Sequence, residues 1–598
     1  MRGGAKSPAQ GREEKNIKQI IRINKMLGLN ESSDFGLAPG EASVMRNWRV
    51  TADGRLALRP GTETVFELGG EPVRALWYGA VGGSAKLLAA AGGHIYDCTG
   101  SSAVSVGTVT DSAETHFFGF NEKVFVLTGS EYMQWDGTGS FTSVEGYVPV
   151  VAVSTPPEGS GTAAEPVNVL TGKKRQLFSP DGTADTFYLA EKAIDEVCWV
   201  KLNGSTVNPR FISLPDGKVQ LVSAPAEGIN TLEICWRKGS GSRSSVLGMT
   251  RSETFNGVSD TRLFFYGDGT NRTVYSGVNY DGAADATYFP AMNFVDVDSA
   301  NAPITSMVRH LDRLLVFKPD GMRALEYGTL TLADGSAVPG FPVIPVNREI
   351  GNAAPGFARL VDNDPITLHG RSLYRWRLSG AAVRDERTAE LISAKAAATL
   401  GSFDPAEVRS LDNERTREFY VFTPDEALVY NYGRGAFYTY SGVPATAAVC
   451  ADGTVFLGTE DGRLLRVSDA LRSDDGEPID ALWVSCSLSL GREWIKKYST
   501  RLYAVLEPGS GSRALVSVKT DRGPALFRRV VSAATADFSH TDFQHFSFAV
   551  SRVPRTKAVR LRTSRFLGCK PVLRSASATA APKVLELAVE FNCADKVI

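Results

Sequence analysis

The chain has 598 residues, 43% hydrophobic and 22% charged, with a formal net charge of −1; this is the mixture of a folded globular protein, it excludes global disorder, and at roughly 150 residues per domain it allows three or four units. No apolar run approaches the ~18 to 20 residues that cross a bilayer, and "MRGGAKSPAQGREEK" lacks the apolar stretch of a signal peptide, which predicts no stable membrane insertion and folding in the cytoplasm. The charge is uneven, with +5 on residues 1–25, +9 on residues 476–598 and −15 on residues 26–475, a separation that either solvates the surface or steers partners of opposite sign.

Residues 1–25 form a basic N-terminal extension, in which "REEKNIKQIIRINKML" places Ile17, Ile20, Ile21 and Met26 loosely on one face and predicts a basic helix. The next stretch, "MRNWRVTADGRLALRPGTETV" (45–65), reads as a hairpin. Val44, Trp48 and Val50 alternate with polar neighbours, Asp53-Gly54 signals the turn, Leu56 and Leu58 continue the alternation on the return, and Pro60-Gly61 ends it.

A weak internal repeat follows. Its copies are "KLLAAAGGHIYDC" (86), "KVFVLTGSEYMQWDG" (123), "RLFFYGDGTNRTVYSG" (262), "RLLVFKPDGMRALEYG" (313), "ITLHGRSLYRWRLSG" (366), "FYVFTPDEALVYNYG" (419) and "TVFLGTEDGRLLRVSD" (454). Each is an apolar strand, a turn built on Gly, Asp or Pro, and a second strand. The starts are separated by 37, 139, 51, 53, 53 and 35 residues, and an insertion of about a hundred residues accounts for the long gap. One sheet per ~40 to 50 residues is the mark of a β-propeller; a series of β-sandwiches would not favour one recurring hairpin.

The expected fold is therefore all-β: a propeller from residues 26–148 and 246–475, an inserted β-sandwich at 149–245, and a basic β domain at 476–598. The insertion opens on "VPVVAVSTPPEGSGTAAEP" and closes on "RKGSGSRSS", both linker-like. "RDERTAELISAKAAATL" (384–400) has helix-forming composition and predicts a short helix beside a blade.

The sequence carries no catalytic or metal-binding signature. The seven cysteines, at 98, 198, 235, 450, 486, 569 and 593, make no CxxC pair and read as buried, reduced side chains. The six histidines make no HExxH, "VNVLTGKK" lacks the first glycine of a phosphate loop, and no GxSxG elbow is present. "DGTNRT" (268–273) and "DGAADA" (281–286) lack EF-hand spacing and read as turns. The expectation is no enzyme, no cofactor and no metal, although a carboxylate pair able to hydrolyse a glycan has no sequence signature that would exclude it.

The stretch "MLGLNESSDFGLAPGEASVMRNWRVTADGRLALRPG" (26–61) resembles the amino-terminal signature of the tail nozzle, or packaged-DNA stabilisation, proteins of short-tailed bacteriophages (podoviruses). The family pattern falls on Gly28 to Asn30, Pro39 to Ala42, Asn47, Gly54, Leu56, Arg59, Pro60 and Gly61. "NRTVYSGVNY" (271–280), "ITSMVRHLDRLLVF" (304–317), "GNAAPGFARL" (351–360), "LVYNYGRGAFYTY" (428–440) and "VKTDRG" (518–523) resemble later parts of that family in the same order.

The resemblance implies a structural virion protein, assembled in the host bacterial cytoplasm. Six copies would form a ring below the portal and the tail adaptor, or head–tail connector, beside tail fibres or tailspikes, closing the conduit for double-stranded DNA until ejection. The alternatives are a neck, tail or receptor-binding propeller protein of a long-tailed phage, and a glycan-degrading propeller enzyme. The stretch Arg552 to Arg574 carries eight basic residues and no acid, so Arg555, Lys557, Arg560 and Arg562 are expected to contact a neighbouring subunit or the adaptor.

Overall fold

The structure, a computed structural model, describes residues 18–33, 37–256, 262–331, 334–378, 387–489, 493–509, 511–534, 553–563 and 565–597. The fold is all-β, and the chain divides into two compact units: Met1–Pro72, Arg371–Tyr374 and Leu391–Ile598 form one, Val73–Gly370 and Arg375–Glu390 the other.

All seven repeated hairpins form, five of them as the central strand pair of a separate four-stranded sheet of the kind that builds a propeller blade, the sixth within a ten-stranded sheet and the seventh within a six-stranded one. Ser84–Ala91 and His94–Asp97, for example, lie between Val73–Val81 and Val104–Thr108. The turns explain the register. Gly82-Gly83, Gly92-Gly93, Asn121-Glu122 and Asp362-Asn363 each have positive φ at two successive residues, the type I′ geometry whose twist matches the flanking strands. Apolar residues on both sheet faces are buried, as with Val124, Phe125, Val126 and Leu127 on one strand. The seventh meander, Ala447–Ala451, Thr454–Gly458 and Arg463–Ser468, takes its fourth strand from near the amino terminus, Gly61–Glu67. That pairing covers an edge that would otherwise expose unpaired backbone groups.

The inserted region has two sheets of its own, one of six strands between Val150 and Arg237 and one of three. Phe178, Phe187, Val219, Ile234 and Trp236 form a core between them. The segment around residues 166–171 departs from this arrangement. Asn168 donates Nδ2 to the carbonyls of Tyr147 and Thr287 at 2.8 Å each, and Leu170 is buried with Phe118, Phe125, Phe265 and Phe289. These two residues lie inside the stretch expected to be a sandwich, yet Leu170 packs in the core of the meanders outside it and Asn168 bonds to their connecting segments.

In the other unit the strands of residues 476–598 do not close on themselves. Ala481–Ser485 pairs with Glu41–Arg46, and the same sheet continues through Cys569–Ser575 and Arg513–Thr520. Lys583–Val597 pairs with Ile495–Leu506, Leu56–Leu58 and Gln19–Ile23.

The last pairing corrects the expected basic helix. Gln19–Ile23 is a strand, because its three isoleucines fit a pleated surface and the long partner strand supplies the hydrogen bonds. Ile17 lies outside the described residues. The expected helix at 384–400 is also corrected: Arg387–Leu391 is the fourth strand of a meander, and helix begins only with the short turns Ala394–Ala396 and Ala397–Ser402.

Candidate functional site

Of the residues that carry the resemblance, Asn47, Arg59, Pro60 and Gly61 meet at one corner. Asn47 joins Glu41–Arg46 to Trp48–Val50, strands of two different sheets, and turns the chain with φ of 59°, a left-handed conformation that asparagine tolerates better than most residues. Its side chain is saturated. Nδ2 donates to Ser441 Oγ and to the Asp480 carbonyl, each at 2.9 Å. Oδ1 accepts the Ser441 N–H at 2.8 Å and Arg59 Nε–H at 3.0 Å.

Arg59 is 3% exposed and uses all five of its donors. Beyond Asn47, Nη1 reaches the Pro60 carbonyl at 2.8 Å and Asp474 Oδ1 at 3.0 Å. Nη2 reaches the Ser441 carbonyl at 3.1 Å and Asp474 Oδ2 at 2.5 Å. Asp474 also accepts the N–H and hydroxyl of Thr62 at 3.1 and 2.9 Å. The fork-on-fork contact with Asp474 is geometry that an ammonium group does not reproduce.

The remaining motif positions shape the backbone. Gly54 has φ of 76° in the turn that brings Leu56 opposite Val50. Leu56 is fully buried. A Cβ on Gly61 would stand 2.3 Å from the Ser473 carbonyl, so only glycine lets these two segments approach. Arg59-Pro60-Gly61 is thus more than a turn: it joins three sheets of one unit. Ser441, Asp474 and Asp480 carried no sequence signal, since they lie about 400 positions away from Asn47 and Arg59.

Beside this corner is a polar cleft of about 280 Å³ lined by Arg49, Asn413, Glu418, Tyr420 and Asp469. Arg49 pairs with Asp469 at 2.5 Å, and Glu418 accepts hydroxyls from Tyr420 and Tyr438. Burial, and next the Glu418 charge, push both phenols well above the ordinary tyrosine range. Among the described residues no group of three or more His, Cys, Asp and Glu is placed to hold a metal ion.

The basic stretch does not form one patch. Arg555–Arg560 is the edge strand of its sheet, beside Ile495–Leu506. Alternation puts Arg555 and Lys557 on the face of Val559, opposite the buried Leu506 and Ala504, whereas Arg560 lies on the other face opposite Arg501. Arg560 and Arg562 are exposed, and Arg555 and Lys557 are half-buried. On the face of Arg560 stands Glu590, which is 5% exposed. It accepts from Thr500 and Tyr503 and pairs with Lys18 at 3.5 Å. The Thr500 hydrogen bond outweighs desolvation and, with Tyr503, Lys18 and Arg501, holds its carboxyl below the usual range.

No family model matches the chain, and no curated protein does. Among solved structures it is similar to the WD40 domain of SCAP from fission yeast, with a TM-score of 0.26 and 8% identity over 68% of this chain and 97% of that one. It is similar also to an exo-β-1,3-galactanase from Phanerochaete chrysosporium, at a TM-score of 0.17 and 10% identity over 81% of this chain and 96% of that one. A third is the extracellular domain of a hybrid two component system from B. thetaiotaomicron, at a TM-score of 0.21 and 10% identity over 79% of this chain and 66% of that one. Likeness at this level assigns no function.

Proposed function

We propose that the chain is a structural virion protein, the subunit of a ring that closes the tail conduit of a short-tailed phage, retains the packaged genome and passes it at ejection. The observation that carries this reading is the convergence of Asn47, Arg59, Pro60 and Gly61 on one corner, with Gly54 and Leu56 on the hairpin that leads into it, where each supplies a requirement of the fold. A motif of that kind marks a shared architecture, whereas a run of turn residues would mark only a turn.

The charge distribution suits the same role. A conduit for double-stranded DNA gains nothing from gripping phosphates, since each neutralised phosphate retards the moving genome. Residues 26–475, at −15, supply acidic groups for a lumen, and the exposed Arg560 and Arg562 supply a contact for an acidic neighbour or the adaptor. Negative-stain imaging with native mass spectrometry of the purified full chain tests the reading. Six-membered rings are expected. A chain that stays monomeric across concentrations and releases sugar from host surface glycan would replace the reading with that of an enzyme.

A further inference from the structure

The strand Glu196–Leu202 runs antiparallel to Leu232–Arg237 in the inserted sandwich, with Val197 opposite Trp236 and Trp199 opposite Cys235. Cys198 is the extra residue in this ladder. At a β-bulge two consecutive residues face one on the partner strand, so Cys198 and Trp199 both lie across from Cys235. The two thiols stand within hydrogen-bonding reach of each other. Both are free; Cys235 is fully buried and Cys198 is half-buried. Trp199, the chain neighbour of Cys198, is the residue paired with Cys235, which places the two cysteines on adjacent strands where a disulfide, spanning Cα atoms ~4.4 to 6.8 Å apart, is formed by a small local adjustment.

We propose that Cys198 and Cys235 are an oxidisable pair that closes a cross-strand disulfide when the chain meets oxidising surroundings. The inference does not rest on the nozzle reading. With a low-molecular-weight disulfide such as oxidised glutathione as oxidant, Cys198 is the thiol a reagent can reach. It loses its proton and its sulfur attacks one glutathione sulfur; the glutathione S–S bond breaks, and one glutathione leaves and takes up a proton. Cys235 then loses its proton and attacks Cys198 Sγ, the mixed S–S bond breaks, and the second glutathione leaves as a thiol. The cysteines lose two electrons and two protons, and two glutathione thiols gain them. Desolvation pushes both cysteine thiols up, so the exchange quickens as pH rises. The bond ties residue 198 to residue 235 and restricts the unfolded sandwich.

The test is to incubate the full chain with excess oxidised glutathione at about pH 8, near the ordinary thiol range, block remaining thiols with an alkylating reagent, digest, and map the peptides by mass spectrometry. The expected product is a linked peptide pair containing Cys198 and Cys235, lighter by two hydrogens and separated by dithiothreitol. The Cys235→Ser variant should stop at a glutathione adduct on Cys198, and Cys198→Ser should give neither bridge nor adduct at Cys235. Two outcomes with the unmodified chain overturn the proposal: both thiols remain alkylatable, or the glutathione adduct on Cys198 is the final product.

Discussion

Arg59 and Asn47 hold their corner by different means, and substitution separates them. Arg59→Ala removes five hydrogen bonds and leaves Asp474 facing a half-buried void; removing one partner of such a pair costs ~3 kcal/mol or more. Arg59→Lys keeps the charge without the fork and should fall between the two. At Asn47, glycine preserves the left-handed backbone and loses only the side-chain bonds, whereas alanine loses both, so Asn47→Ala should be less stable than Asn47→Gly by about 1 kcal/mol. Urea denaturation of the four variants measures these differences, and an Asn47→Gly protein no more stable than Asn47→Ala would remove the backbone part of the account.

At the scale of the strand, Glu41 opens Glu41–Arg46 and is 6% exposed. Desolvation alone would raise its pKa. Hydrogen bonds from Asn30 at 3.0 Å and Lys395 at 3.0 Å, with the Ala38 N–H at 3.0 Å, more than offset it and hold the carboxyl below its ordinary value of 4.5. A group whose pKa is lower folded than unfolded stabilises at pH above its unfolded pKa, and that stability is lost as pH falls through the folded value. Below about pH 4.5 the protein should therefore weaken, and Glu41→Gln should weaken less steeply; thermal melts from pH 6 down to about pH 3 compare the slopes.

The basic edge strand yields a second expectation at this scale. The stems of Arg555 and Lys557 lie on the face of Leu506 and Ala504, so replacing both by Ser should lower stability by about 1 kcal/mol through lost packing. Replacing Arg560 and Arg562 by Ser should leave stability unchanged and weaken ring assembly or adaptor docking, and the wild-type contact should weaken as salt rises. Native mass spectrometry beside thermal melts distinguishes the pairs, and equal effects from both would contradict the split of the two faces.

For the molecule as a whole, the inserted sandwich enters and leaves at neighbouring points: Arg243 donates Nη2 to the Val144 carbonyl at 2.7 Å and Nη1 to that of Leu170. A deletion of residues 173–238 joins Gly172 to Gly239, whose backbones already touch, and keeps Asn168 and Leu170 in place, leaving only the strands Val150–Thr155 and Thr162–Ala163 of the sandwich behind. A deletion of 152–242 takes both away. The shorter deletion should unfold cooperatively at the higher temperature, and Leu170→Ala in the intact chain should cost ~2 to 5 kcal/mol. Circular dichroism melts decide it; a shorter deletion with no cooperative transition would show that the sandwich is not a separable part.

The seven hairpins were legible from the amino-acid sequence because everything that makes them is local: two short apolar runs and a turn built on Gly, Asp or Pro, all within about 15 positions. The Trp48–Leu58 hairpin was legible for the same reason. What tertiary structure alone decided involves partners far along the chain. Gln19–Ile23 has a loosely helical pattern, and it is a strand because Lys583–Val597 lies beside it. Arg59 looked like part of a turn until Asp474 and Ser441 closed on its guanidinium. Cys198 and Cys235 looked unrelated at 37 residues apart, and the pairing of Glu196–Leu202 with Leu232–Arg237 brought them to one place in a sheet. Local propensity fixes a strand and its turn, whereas the hydrogen-bonding partner across a sheet is chosen by the whole chain's burial, which no short stretch encodes.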